Sequence, residues 1–440
     1  MQSSTSEYKQ INKQFINYVV PSVIALGVEA LYTVLNGIIA GHGLGEVALG
    51  AINIALPFSM LTIALSLMIG IGGANVYSFY KGQGNAKKAN NIFCQCLGLL
   101  AGIGFVLALG GFIFRKELAI FLGANGELLP YVTAYLKWMA PVSFFQVIIF
   151  GLIIFIRNDN APRLVMVASI AGIAINAVLD VVLILFLHFG IEVIAVTNGI
   201  AVVVQGIIFI PHFALKKGML RIHKPAFDPS DIKRILSNGF ASFLMEFWLS
   251  ALSFSYNLAL VNTVGTMGVS AYSIVTYICS LIHMVLVGVT QGAQPIMSLY
   301  QGRKDRKGFL CIYRLGMRTN IIIPIVLAAG CAFFGREVAS LFYSGDAELI
   351  DVTVHMLRLY SLGFIFVGPV LMNVLFFQTT ERNVYAAIIS FMRCIGFVQL
   401  FLFLSMAFIG ANGIYLSFPA GELCHFLLSW VLVRRTMKKL

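Results

Sequence analysis

Apolar stretches of twenty residues and more recur from one end of this 440-residue chain to the other. As a helix, each is long enough to cross about 30 Å of hydrocarbon, because a helix rises about 1.5 Å per residue. Marking the apolar runs between turn and charge signals gives twelve candidate spans. The first six run at roughly 15–40, 47–78, 92–114, 131–156, 164–187 and 190–214. The second six run at roughly 236–263, 268–299, 317–335, 352–377, 384–409 and 412–434. An all-α polytopic membrane protein is expected. Composition points the same way: 59% of residues are hydrophobic and 11% charged, against roughly 25% charge in soluble domains. That balance excludes a cytosolic enzyme, a disordered chain and a disulfide scaffold.

The net charge is +12, from 30 Lys and Arg against 18 Asp and Glu. The basic residues lie in short clusters between apolar runs, so membrane topology accounts for them and nucleic acid is not an expected partner. On one side fall 24 of the 30, including Lys9, Lys13, Lys81, Lys87, Lys88, Lys216, Lys217, Arg303, Lys307, Arg434 and Lys439. The other side has Arg115, Lys116, Lys137, Arg336 and Arg358, while Arg393 lies within a span. Both termini are therefore expected to be cytoplasmic. The polar start before Phe15 and the long run after it predict no cleavable signal. The seven cysteines sit mostly within apolar runs, and Cys94-x-Cys96 lacks metal-site spacing, so neither disulfide nor metal is expected.

A shift of 220 residues, half the chain, pairs Ser78, Tyr80, Gly82 and Lys87 with Ser298, Tyr300, Gly302 and Lys307. It also pairs Phe114, Glu117 and Ala119 with Phe334, Glu337 and Ala339, and Gly45, Ala51 and Ile54 with Gly265, Ala271 and Ile274. Six spans per half keep both copies in the same sense, as parallel repeats. The expected fold is twelve transmembrane helices in two six-helix lobes, with a central cavity between them and alternating access by rocking. The expected divisions are an N-lobe at 1–215, a cytoplasmic linker loop at 216–232 with Pro225 and Pro229, and a C-lobe at 233–440.

No HExxH, GxSxG, P-loop or GxGxxG occurs, so neither an enzyme nor an on-board ATPase is expected. Uphill transport would then draw on an ion gradient, through ionisable residues at membrane depth. Asp180 lies midway along the fifth span, with Asn176 four residues before it on the same helix face. That pair suits binding a proton or completing an oxygen cage for a cation; the alternative is a structural interhelical hydrogen bond. Glu29 sits midway along the first span, seven residues before Asn36, and is either a second protonatable group or an acid tuning the cavity potential. Glu246 holds the matching depth in the second half, as counter-charge for a cationic substrate or as partner of Arg393. For Arg393, pairing with an acid or backbone carbonyls competes with substrate contact. Glu422, His283 and His355 read as structural. Pro21 and Pro295 are candidate hinges, because proline removes a helical hydrogen bond. Gly37-x3-Gly41, Gly41-x3-Gly45 and Gly98-x3-Gly102 allow close helix contact.

Several segments together resemble the multidrug and toxic compound extrusion (MATE) family, most closely its MepA-like bacterial branch. Leu31-Tyr32-Thr33-Val34-Leu35-Asn36 with Gly41, Leu44 and Gly45 looks like the first-span motif, and Gly70-Ile71-Gly72-Gly73 to Gly82 like the second. Arg157-Asn158-Asp159-Asn160 followed by Asn176-x3-Asp180 looks like the entry into the fifth span. Gln291-Gly292-Ala293-Gln294-Pro295 is similar to the eighth-span signature, and Gly413 to Pro419 with Glu422 to the start of the twelfth. The likeness covers nearly the whole chain. It implies two six-helix lobes, H⁺- or Na⁺-coupled efflux of amphipathic organic cations, no cofactor, and a monomer in the bacterial inner membrane. It places Asn176 and Asp180 in the coupling pair and Asn198 where relatives carry a Thr of that cluster. Asn36 departs from the pattern, since relatives carry Asp there, and Glu29 is expected to replace that carboxyl. Asn257, Gln291 and Gln294 join Glu246 and Arg393 as candidate substrate-binding residues.

Two rival functions predict other residues. A flippase of lipid-linked precursors, on a related two-lobe fold, would place several Arg or Lys in its cavity to meet phosphates. Only Arg393 is available, while Glu29, Asp180 and Glu246 make the interior acidic. A membrane-embedded enzyme would need a nucleophile–base or metal constellation, and the sequence offers none.

Overall fold

The structure, a computed structural model, describes residues 2–340, 347–408 and 410–438. Outside the described residues fall also the side chains of 2–7, 34, 37, 38, 40–43, 45, 46, 49, 266, 407 and 408. Among the described residues, twelve helices are long and apolar enough to span a membrane, numbered here in chain order. Spans 1–6 are Tyr8–Thr33, Gly50–Gly82, Ala86–Ile113, Leu128–Asn158, Pro162–Phe186 and Glu192–Ala214. Spans 7–12 are Pro229–Thr263, Met267–Gly302, Arg306–Phe333, Ala347–Thr379, Asn383–Met406 and Ala411–Met437. Every apolar run read from sequence overlaps one of them, the first running past the end of span 1. Spans 7 and 9 begin well before their apolar runs, because a polar first turn is helical too. Asp228 caps span 7, its Oδ1 accepting from the Ser230 N at 2.9 Å and Oγ at 2.7 Å. Those two donors hold the exposed Asp228 carboxyl below its ordinary pKa. Asp305 caps span 9, accepting from the Gly308 N at 2.9 Å.

The 220-residue repeat recurs in the backbone. Asn85 caps span 3 by accepting from the Lys88 N at 3.0 Å, as Asp305 does 220 positions later. Before each cap stands a left-handed residue, Gly84 at φ 77° and Lys304 at φ 58°. Spans 3 and 9 end alike, with Phe114 N bonding Gly110 O at 2.9 Å and Phe334 N bonding Gly330 O at 2.8 Å. Short helices then follow at the same offset, Arg115–Phe121 and Gly335–Ser340.

The chain forms two compact units. One holds Ile24–Gly239, and the other holds Met1–Val23 with Phe240–Leu440. The first turns of spans 1 and 7 thus belong to a different unit from the rest of those helices. Within the first unit the start of span 7 lies against span 2, where a Cβ on Gly72 would run into the Ile235 carbonyl and one on Gly239 into that of Met68. Asn75 of span 2 also donates to Asn238 at 2.7 Å. Within the second unit the start of span 1 lies against span 8, where a Cβ on Gly288 would sit 2.7 Å from Val23 Cα and one on Gly292 2.6 Å from Val19 Cα. Gly72 and Gly292 are again 220 apart, and each permits the same close backbone approach.

The Gly98-x3-Gly102 motif makes no such contact: Gly98 faces Phe227 of the connecting segment, and Gly102 faces open space. The contacts of Gly37, Gly41 and Gly45 lie outside the described residues. Residues 216–232 are strapped to the first unit. Asn90 accepts from the Arg221 N at 2.9 Å, and Asn91 both accepts from the Ala226 N and donates to its carbonyl. Gln95 Nε2 and Lys88 Nζ both reach Asp231 Oδ2, at 3.0 and 2.5 Å.

Candidate functional site

Asp180 ends the α-helical part of span 5 and is fully buried. Beyond it, Val181–Phe186 winds as a π-helix, with Leu187 N bonding Val182 O five residues back at 3.0 Å. Wide turns of this kind are rare and concentrate at functional positions. Four β-branched or branched residues follow Asp180 directly, Val181-Val182-Leu183-Ile184, and they crowd a regular helix.

Three neutral donors hold the carboxylate. Asn176 Nδ2, one turn earlier, reaches Oδ2 at 2.9 Å. Tyr32 Oη of span 1 reaches the same oxygen at 2.7 Å. Thr197 Oγ1 of span 6 reaches Oδ1 at 2.5 Å. A carboxylate offers about four lone-pair sites, so three donors leave room for one more. Its hydrogen-bond partners include no basic side chain. Asn36 lies one turn beyond Tyr32 on the same face of the helix, and its amide oxygen is buried without a hydrogen-bond partner. The carboxylate and the two hydroxyls make an oxygen-rich set from spans 1, 5 and 6. Such a set can take a proton on the carboxylate or supply ligands to a hard monovalent cation.

Of the residues the sequence grouped here, Asn176 bonds Asp180, Asn36 lies one turn from Tyr32, and Asn198 makes none of the three hydrogen bonds to Asp180. The hydroxyl at this position comes from Thr197, one residue earlier. Asn198 is half-buried and set about 100° around the helix from it. Tyr32 carried a legible signal, its i, i+4 spacing to Asn36, which went unused. Glu29, three residues before Tyr32, is exposed and makes none of the hydrogen bonds to Asp180.

A second polar cluster of the first unit surrounds Asp159, in the Arg157–Asn160 segment. Oδ1 accepts from Tyr77 Oη at 3.0 Å and the Met219 N at 2.8 Å. Oδ2 meets the Leu220 N at 3.1 Å and His212 Nε2 at 2.9 Å, with Lys81 Nζ 3.8 Å from Oδ1. Gly218 makes room, since a Cβ there would fall on the Asp159 carboxylate. This cluster fastens the start of the connecting segment.

In the second unit, Arg393 is completely buried and its Nε donates to Glu422 at 3.0 Å. Its guanidinium also lies 3.9 Å over the ring of Trp248. The acid that Arg393 meets is thus Glu422, 29 residues away, and not Glu246. Glu246 and Gln291 are half-buried, Asn257 is exposed, and Gln294 is 4% exposed. Pro21 and Pro295 are both buried in the second unit.

The sequence profile of the MatE family matches residues 21–182 and 241–401. Among curated proteins, the multidrug export protein MepA of Staphylococcus saprophyticus is 24% identical over 438 residues, covering 97% of this chain and 94% of that protein. MepA of Staphylococcus aureus is 22% identical over 426 residues, covering 94% and 92%. Among solved structures, an outward-facing multidrug-resistance MATE transporter of the MOP superfamily superposes with a TM-score of 0.92 at 21% identity, covering 98% of this chain and 96% of that one.

Proposed function

We infer that this chain, which belongs to the MatE family, is a multidrug efflux transporter of the bacterial plasma membrane. In this reading it exchanges a cation, H⁺ or Na⁺, for amphipathic organic cations by alternating access, with both termini in the cytoplasm. The observation that carries the reading is Asp180, a buried carboxylate held only by neutral donors, with acceptor capacity left over. Cation arrival neutralises it. Because the donors come from spans 1 and 6, its charge state changes how strongly these helices hold span 5. That differential is what a coupled transporter needs, since the ion shifts a conformational equilibrium only by binding one state better than the other. Substrate must then alter ion affinity by the factor by which the ion alters substrate affinity.

Cationic cargo is favoured by the charges at membrane depth. Glu29, Asp180 and Glu246 are acidic, and Arg393, a buried base of the second unit, is already matched by Glu422. The same pairing weighs against a lipid-precursor flippase, whose phosphates would need free cations. Glu246, Asn257 and Gln291 are the residues proposed to meet cargo, with Pro21 and Pro295 as hinges and the protein working as a monomer.

The test is efflux of a fluorescent organic cation from proteoliposomes under imposed pH or Na⁺ gradients. Wild type should follow one gradient, and Asp180→Asn should not. Efflux indifferent to both gradients and to the substitution would overturn the reading. Glu29→Gln tests the replacement of the family carboxyl; unchanged ion dependence would remove Glu29 from coupling.

A further inference from the structure

Among the described residues, fourteen buried side-chain atoms have no hydrogen-bond partner, and six of them belong to one ion pair of the second unit, to its neighbours Trp248, His283 and His425, and to Ser390 one turn before Arg393. They are Arg393 Nη2, Glu422 Oε2, His425 Nδ1, Trp248 Nε1, His283 Nδ1 and Ser390 Oγ. Buried polar atoms are paired in the great majority of cases, so such a concentration calls for a physical account. Arg393, Glu422, His425 and Ser390 are each 0% exposed, so bulk water does not satisfy them.

The hydrogen bonds fix the tautomer of His425. His425 Nε2 lies 2.9 Å from the Met392 carbonyl oxygen. A carbonyl can only accept, so Nε2 carries the hydrogen. In the neutral ring Nδ1 then presents a lone pair, and what it faces, at 3.8 Å, is Glu422 Oε2. Two acceptors therefore confront each other in a dry interior. Arg393 does not relieve them, because its Nε is engaged with the other carboxylate oxygen, Oε1.

We propose that Glu422 and His425 form a proton-binding site of their own, inside the second unit and separate from Asp180. One proton from solvent adds to the lone pair of His425 Nδ1, no other bond breaks, and the N–H so formed points at Glu422 Oε2. The charge of Arg393, Glu422 and His425 together goes from zero to +1, and an acceptor–acceptor contact becomes a charge-assisted donor–acceptor one. The other groups facing the pair are Arg393 from span 11 and His283 from span 8, which stacks on Trp248 of span 7. Glu246 is next to Met245, which touches Arg393, and is set about 100° around span 7 from it. From span 10, Tyr360 stacks on Phe418, one turn before Glu422, and His355 meets Asn412 nearer the start of span 12. The proposal holds whichever ion drives transport.

The experiment is ¹⁵N NMR of full-length protein with labelled histidine in lipid nanodiscs, titrated from about pH 5 to about pH 8.5. The chain has seven histidines, and the resonances that vanish in His425→Gln identify His425. They should convert from the Nε2–H form to the doubly protonated ring within this range. In Glu422→Gln the midpoint should fall by at least about one pH unit, a tenfold loss of proton affinity. If that variant does not assemble, the Arg393→Gln/Glu422→Gln double variant is compared with Arg393→Gln alone, so that only Glu422 differs, and is read by the same criterion. A His425 ring that stays in the Nε2–H form throughout would overturn the proposal and leave a bridging water in the gap. A midpoint unmoved by loss of Glu422 would overturn it equally.

Discussion

Replacing Thr197 by valine keeps the side-chain shape and deletes one hydroxyl, the one that meets Asp180 Oδ1 at 2.5 Å. A hydrogen bond to a charged group contributes about 1.5–3 kcal/mol. At about 1.4 kcal/mol per decade, that is a change of roughly 10- to 100-fold in the ion concentration giving half-maximal transport. Its direction depends on the ion. If a proton loads Asp180, the hydroxyl competes with it by stabilising the carboxylate, so Thr197→Val half-saturates at a lower proton concentration. If Na⁺ loads it, the hydroxyl is a lost ligand, and half-saturation moves to higher Na⁺. Asn198→Ala, one residue on, should leave either curve where it was. The assay is initial efflux rate from proteoliposomes against graded outside pH or Na⁺. A Thr197→Val curve within twofold of wild type, or an Asn198→Ala curve displaced as far, would refute the placement of the hydroxyl in this cluster.

Gly218→Ala should lower the melting temperature in detergent by several degrees, since the added methyl falls on Asp159 and 2.7 Å from His212 Nε2 and overpacking costs about 1–3 kcal/mol. Gly102→Ala, which meets nothing within 4 Å, should melt as wild type does. Arg393→Met alone strands Glu422 in the interior at a cost of about 3–5 kcal/mol, and adding Glu422→Gln should recover most of it; a double variant no more stable than the single one would contradict the pairing. Asp228 is held below its ordinary pKa by Ser230, so its contribution is present above the unfolded value and is lost as pH falls through the folded one. The melting gap between wild type and Asp228→Asn should therefore be open at neutral pH and close in acid, and a gap that widens in acid would refute the cap.

The spans were legible because length and apolarity are properties of contiguous residues. Asn176 and Asp180 were legible for a related reason, as four residues on one helix fix a shared face. What escaped was whatever depended on a second helix. Tyr32 and Thr197 meet Asp180 across 148 and 17 positions, and nothing local in spans 1 or 6 selects Thr197 over Asn198. Arg393 advertised a need for an acid, and Glu246 was the one named for it, but the acid it meets is Glu422, with Trp248 and Met245 against the guanidinium. The π-helical turn after Asp180 was also hidden, because runs of branched residues occur in most membrane helices without widening them.

The strap over residues 216–232 bears on how two copies of one ancestral segment can become a single chain. A seam left as a slack tether would leave either half free to be cut out and expressed alone. Here, excision after residue 215 would strip Asp159 of the Met219 and Leu220 amides, and Asn90, Asn91 and Gln95 of their partners. Carrying the cut to residue 239 keeps those bonds and the Asn75–Asn238 pair as well. The first unit therefore ends beyond the boundary of the repeat, having absorbed the junction and the opening turns of the copy that follows.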